Sequence, residues 1–288
     1  MTQSLAIRPM TRPEAVGHIA LTIAEGWNPG LHDTEAFLAC DPDAFIAAEL
    51  DGKVIGGGAI TAYGDSFGFM GLFIMHPELR RQGLGSQLWR ARRDRLLARL
   101  NPGATIGMDG VFAMADWYAR GGFVLSHRNL RFCMDVPADR VCEPFAEIVP
   151  ATDIPFEALA AYDRSCFPAP RDAFLKAWIT LPDRKAVALV RDGQLAGYGV
   201  VRRCREGCKI GPLFADDADG AEVLFAALAP FAAGGSLFMD VPEPHTDAMA
   251  MVVRHGMSEV FGCARMYLGA IPDIAHERVY GVTTFELG

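Results

Sequence analysis

This 288-residue chain has no run of 18 uninterrupted apolar residues, so nothing in it reads as a membrane-spanning helix. Residues Met1 to Met10 hold no apolar core of signal-peptide length. Cysteines are few and follow no pairing pattern. There are seven, an odd number, scattered from Cys40 to Cys263, which argues against a disulfide scaffold and points to the reduced thiols of a cytoplasmic protein. Cys204 and Cys208 have no Cys/His pair nearby at zinc-ligand spacing, so no metal is expected. Positive charge is also short, with 27 Lys and Arg against 35 Asp and Glu; the net charge of −8 argues against general affinity for nucleic acid or an anionic membrane. What is present is 51% hydrophobic and 22% charged, a globular composition in a chain long enough for two domains.

Against this acidic background, residues 80–99 are basic, with Arg80, Arg81, Arg90, Arg92, Arg93, Arg95 and Arg99 facing only Asp94 and the preceding Glu78. The stretch opens with Arg80-Arg81-Gln82-Gly83-Leu84-Gly85, set between an apolar strand-like segment, Phe69 to Met75, and a helical pattern, Ser86 to Leu100. A helix N-terminus presents N–H groups that lack intrahelical partners, and two glycines let a phosphate approach the backbone closely. The turn is not a Walker A loop, which needs Lys-Ser/Thr where Ser86-Gln87 stands. It is not a dinucleotide fingerprint either, since the third glycine would fall at Leu88.

The turn resembles the Gln/Arg-x-x-Gly-x-Gly/Ala turn of the GCN5-related N-acetyltransferases (GNAT), with Arg80, Gly83 and Gly85 at the defining positions and Pro77-Glu78-Leu79-Arg80 leading into it. The resemblance implies that Arg80, Arg81, Gln82, Gly83, Leu84, Gly85 and Ser86 cradle the pyrophosphate of acetyl-CoA. It also implies a splayed strand, Leu72-Phe73-Ile74, whose backbone pairs with the pantetheine and polarises the thioester, Phe73 and Ile74 being the foremost amide donors. Trp117-Tyr118-Ala119-Arg120-Gly121-Gly122-Phe123 is similar to the family's Leu-Tyr-x-x-x-Gly-Phe ending. By that match Tyr118 protonates the leaving thiolate, and a phenol of pKa near 10 suits that role. One departure is Val111, where the family often has an asparagine that contacts the pantetheine.

The element order β-α-α-β-β-β-α-β-α-β over about residues 4–136 is the order of such a domain, and it occurs a second time after a proline- and acid-rich stretch, 137–155. The hairpin signal Asp51-Gly52 returns as Asp192-Gly193. The expected fold is therefore α/β, two tandem GNAT-like domains at 1–137 and 145–288, each a mixed sheet flanked by helices. In the second copy the turn is replaced by Ala215-Asp216-Asp217-Ala218-Asp219-Gly220, whose aspartates would repel a pyrophosphate. That half is expected to bind no coenzyme A, and it resembles the degenerate C-terminal domain of bacterial tandem proteins in this superfamily.

No single general base stands out. Asp109 and Glu25 are the nearest carboxylates, and a water relay would serve as well. The loop Glu25-Gly26-Trp27-Asn28-Pro29-Gly30 with Asp33 supplies acceptor-site candidates: Trp27 as a wall, Asn28 and Asp33 as polar contacts. Tyr198, Arg202 and Arg265 are candidate contributions from the second half. The expected activity is transfer of an acetyl group from acetyl-CoA to the amine of a small or amino-acid-like molecule. A non-catalytic acyl-CoA sensor or interaction protein and a protein N-acetyltransferase stay open as alternatives.

Overall fold

The computed structural model describes residues 5–141 and 145–288; residues 142–144 of the proline- and acid-rich stretch, Cys142 among them, and the first four residues lie outside the described residues. The first half runs β1 (Leu5–Pro9), α1 (Arg12–Ala24), α2 (Asp33–Cys40), β2 (Phe45–Leu50), β3 (Lys53–Tyr63) and β4 (Phe67–Met75). It continues with α3 (Leu84–Leu97), β5 (Thr105–Val111), α4 (Ala115–Ala119) and β6 (Val124–Asp135). The second half repeats the order as β7 (Ile148–Pro150), α5 (Phe156–Cys166), α6 (Asp172–Thr180), β8 (Arg184–Arg191), β9 (Gln194–Arg203) and β10 (Cys208–Ala215). Then come α7 (Ala218–Leu228), β11 (Ser236–Pro242), α8 (Thr246–Arg254) and β12 (Ser258–Leu268). A last strand, β13 (Val279–Gly281), has no counterpart among the described residues of the first half.

Local chemistry explains the main boundaries. Thr11 and Glu14 form a reciprocal capping box that starts α1, with proline in its first turn. Asp51-Gly52 and Asp192-Gly193 all have positive φ, the conformation that tight hairpins need and that Asp and Gly tolerate. Helix α3 starts at Leu84, two residues before the sequence pattern suggests, because Gly83 takes a left-handed conformation (φ +81°) and serves as its N-cap. Between β5 and β6 the chain makes a 3₁₀ turn, Phe112–Met114, followed by the short α4.

The two halves do not build separate sheets. One continuous sheet runs β1-β2-β3-β4-β5-β12-β6-β11-β10-β9-β8-β7. The last strand of the second half, β12, pairs antiparallel with β5 of the first, and β6 of the first half pairs antiparallel with β11 of the second. The two exchanged strands also pair with each other. Each half thus completes its neighbour's sheet, and no exposed edge is left at the seam.

Buried groups lock the seam. Phe37 on α2 stacks on Trp178 of α6, with ring centroids 6.4 Å apart. Arg202 reaches Asp33 at 2.9 Å, both nearly inaccessible, and Arg265 grips Asp109 through two contacts of 2.8 and 2.6 Å. Such buried pairs cost about 3–5 kcal/mol when one partner is removed, because the other charge is left uncompensated.

What positions the site is a parting of strands. β4 and β5 pair in parallel only over Phe67 to Phe69, and then diverge. Strand β10 pairs with β11 over a similarly short stretch, Cys208 to Ile210. In the second half the widening gap is filled: β13 pairs with β10, and Val282 N–H bonds to the Asp240 carbonyl at 2.8 Å. In the first half the gap stays open.

Candidate functional site

The open gap holds a cavity of about 470 Å³. On one wall lies β4, Met70 to Met75; on the other lie Met108, Asp109 and Val111 of β5, with Trp117 and Tyr118 of α4. The turn at Arg80 to Ser86 closes one end, and Glu25 and Trp27 come from the loop after α1.

Strand β4 carries a bulge where it turns away. Leu72 and Phe73 together face a single residue of β3, Gly58, and Leu72 has φ +55°, a strained value for a leucine. Two buried side chains hold the bulge. His18 bonds through Nε2 to the Leu72 carbonyl at 2.8 Å, and Arg92 Nη2 donates to the Gly71 carbonyl at 2.6 Å and to that of Ala59. Burial is the main cause that lowers His18 from 6.5 to about 4, so the ring is neutral and Nε2 carries the donated proton. Burial likewise lowers Arg92 to about 10, which leaves it charged at neutral pH.

The turn is built for an anion. Arg81 has φ +62° and Gly83 φ +81°, left-handed conformations of the kind from which anion-binding backbone nests are built. Among the described residues, the backbone N–H groups of Arg81, Gln82, Gly83, Leu84, Gly85 and Ser86 have no protein acceptor. They lie at the positive end of the α3 dipole. Arg80 is spent structurally: its Nε donates to the Met75 carbonyl at 2.9 Å and its Nη2 to Glu25. The amides and Gly83 therefore fit a pyrophosphate without help from the Arg80 side chain.

The equivalent point in the second half is closed. The Asp217 carboxylate caps α7 by accepting from Gly220 N–H at 2.7 Å, and it is itself paired with Arg191. A carboxylate of the chain thus caps this helix N-terminus, whereas Gly83 leaves that of α3 without a side-chain cap.

Tyr118 is 5% exposed and lines the cavity, and no described residue hydrogen-bonds its hydroxyl. Burial pushes its pKa up to about 12, so it holds its proton. Trp89 and Trp117 pack against it at 6.4 and 5.4 Å between ring centroids and fix the ring. Asp109 lines the cavity, but both its oxygens are taken: Oδ1 accepts from Asn129 and Arg265, Oδ2 from Arg265. Glu25, at the cavity rim, is paired with Arg80.

Trp27 lines the cavity, whereas Asn28 and Asp33 do not. Asn28 exchanges two hydrogen bonds with the backbone of Glu206 and accepts from Lys209 Nζ on its carbonyl at 3.0 Å. Asp33 is fully buried, bonded to Gly30 N–H and to Arg202. Both tie the loop to the second half. Tyr198 and Arg202 are buried within that half or its seam, and Arg265 acts through Asp109. The groups that do reach the cavity from across the seam are Arg131 of β6, Phe261 and Cys263 of β12, and Phe285 and Glu286 of the segment after β13. Strand exchange brings the first three there and the path of the segment after β13 the other two, which is why no local motif announces them.

Comparison with known proteins agrees with this duplicated architecture. A family model described as acetyltransferase (GNAT) family matches residues 12–123, and one described as acetyltransferase (GNAT) domain matches 159–281. The holothin acyltransferase of Pseudoalteromonas sp. (strain SANK 73390) is 26% identical over 268 residues, 92% of this chain and 88% of that protein. A Pyrococcus horikoshii structure described as an acetyltransferase superposes with a TM-score of 0.82 at 23% identity, covering 100% of this chain and 97% of its own. A tandem GNAT protein from the clavulanic acid biosynthesis pathway, solved without acetyl-CoA, gives 0.66 at 19% identity, covering 93% and 99%. These two show the shared fold.

Proposed function

Because both halves of this chain belong to the GNAT acetyltransferase family, we propose that it is an acyl-CoA-dependent N-acyltransferase working through its first half, with acetyl-CoA as donor and the amine of a small molecule as acceptor. One observation carries the reading: the turn whose amides are unpaired from Arg81 to Ser86 lines, through Arg81, Gly83, Gly85 and Ser86, the same cavity as Tyr118. The near-full-length similarity to a holothin acyltransferase supports a small-molecule acceptor over a protein.

In this reading the turn amides bind the donor's pyrophosphate, and the backbone of β4 past the bulge aligns its pantetheine arm. An amide at Phe73 or Ile74 polarises the thioester carbonyl. Tyr118 then gives its proton to the departing thiolate. The apolar walls, Met70, Met108 and Trp117 among them, keep bulk water from the thioester. Arg92 and His18 act on the geometry of the bulge and not on the substrate.

The test pairs calorimetric titration of acetyl-CoA with thiol release over a panel of primary amines. Wild-type protein should bind acetyl-CoA and release thiol with at least one amine. Gly83→Val, which cannot adopt φ +81° without strain, should lose at least about tenfold in affinity, roughly 1.4 kcal/mol. Binding without amine-dependent release would favour the sensor reading, and equal affinity in the variant would remove the turn as the donor site.

A further inference from the structure

Glu286 lines the cavity and has no part in the donor chemistry. Glu286 follows β13 on the segment that fills the second half's gap and then crosses into the first half's cavity. Its backbone carbonyl lies directly over Gly71 beside the β4 bulge, so closely that no side chain fits there. One carboxylate oxygen, Oε2, accepts from Thr284 Oγ1, and the other is bonded to no described residue. Thr284 also binds the Glu286 N–H, so the residue is fixed at both ends.

The charged and titratable groups around it come from five elements: Arg131 on β6, Lys209 on β10, Arg202 on β9, Asp33 on α2 and the Cys263 thiol on β12. Arg131 is committed to Asp240 and Arg202 to Asp33. Lys209 donates to a carbonyl, so its charge is balanced by none of these pairs. Burial raises the Glu286 carboxyl above its ordinary 4.5 despite the cations, which moves it toward the range useful for proton transfer near neutrality. The other cavity carboxylates are engaged, Asp109 by Arg265 and Asn129 and Glu25 by Arg80. The adjoining walls are aromatic: Trp27, Phe73, Phe261 and Phe285.

Resting on the acyltransferase reading, we propose that Glu286, delivered by the second half, is the acceptor-side general base, and that the acceptor is a compact, flat, apolar amine with a single positive charge. The ammonium loses one proton to the Glu286 carboxylate. The freed nitrogen lone pair attacks the thioester carbon, the C–N bond forms, and the carbonyl electrons move to oxygen. As the C–S bond breaks, the thiolate takes the Tyr118 proton. The nitrogen's second proton returns to Tyr118, and the proton on Glu286 leaves to water. A second positive charge on the acceptor would find the other cavity carboxylates, Asp109 and Glu25, already paired, so diamines are poor acceptors.

The test compares tryptamine and benzylamine with putrescine in thiol-release kinetics, using wild type, Glu286→Gln and Glu286→Asp. Glu286→Gln should keep acetyl-CoA affinity but lose about 100-fold in kcat/KM for the aromatic amines, and the acid limb of the pH–rate profile should vanish. Glu286→Asp should keep that limb with a lower rate, which guards against misreading a folding defect. Putrescine should be at least about tenfold worse than benzylamine. An unchanged acid limb in Glu286→Gln, loss of the limb in Glu286→Asp, or preference for putrescine would overturn the proposal. No release by wild type with any amine of the wider panel would defeat the underlying acyltransferase reading instead.

Discussion

The carbonyl of Glu286 packs against Gly71, so the segment that ends the second half is seated on the bulge that shapes the first half's cavity. A Cβ at residue 71 would overlap that carbonyl, a backbone atom with no freedom to swing away. The cleft of the first half and the segment that closes it are therefore one packed unit.

Replacing Gly71 with alanine should expel the tail. The expected cost is about 1–3 kcal/mol of stability, the usual range for overpacking, with a raised KM for the amine and little change in acetyl-CoA affinity. Thermal unfolding and steady-state kinetics on the same preparation would check it; an unaltered amine KM would separate the tail from the acceptor site.

His18 makes the protein acid-sensitive in a defined window. Burial lowers its pKa from 6.5 to about 4, so between those values the unfolded chain binds a proton that the folded one does not. Stability should thus fall as pH drops from 6.5 toward 4, by about 3 kcal/mol in total, and is fully present above 6.5. Gln at position 18 keeps an N–H donor for the Leu72 carbonyl without titrating. Denaturant midpoints measured across the window should change less with pH in His18→Gln than in wild type.

Tyr118→Phe should lower kcat by about 100-fold while acetyl-CoA binds as before. Since the hydroxyl bonds to no described protein group, its removal should leave stability nearly unchanged. Equal turnover in the variant would mean that another group protonates the thiolate.

The halves should not fold apart. Residues 1–141 expressed alone leave β5 without β12 and β6 without β11, while the remainder lacks β6. Each fragment should aggregate or bind no acetyl-CoA, and co-expression should restore a complex that does. Size-exclusion chromatography with a binding assay would show it; a monodisperse, acetyl-CoA-binding N-terminal fragment would contradict it.

The sequence discloses what is local and hides what is exchanged. The Arg80 to Gly85 turn, the two Asp-Gly hairpins and Tyr118 are read from neighbours in the chain, because a turn's conformation and a helix's start depend on a few adjacent residues. The repeated element order gave the mixed-sheet fold in the same way. Nothing local marks β6 and β12 as strands that change partners, since pairing across the seam is set by the path of the chain and leaves no residue pattern of its own. For the same reason Asn28 and Asp33 look like free loop groups in sequence, although Lys209, Glu206 and Arg202, more than 160 residues away, occupy them. Glu286 gives no signal at all: its place depends on the path of a whole segment across the seam.

The central claim is a single donor site between β4 and β5, closed by the second half. A crystal structure with acetyl-CoA tests it most directly. One molecule should bind per chain, its pyrophosphate on the amides of Arg81 to Ser86 and its thioester between Phe73 and Tyr118, with Glu286 facing the acetyl carbon. Density for the cofactor at Ala215 to Gly220, or a donor lying outside the β4–β5 gap, would contradict it.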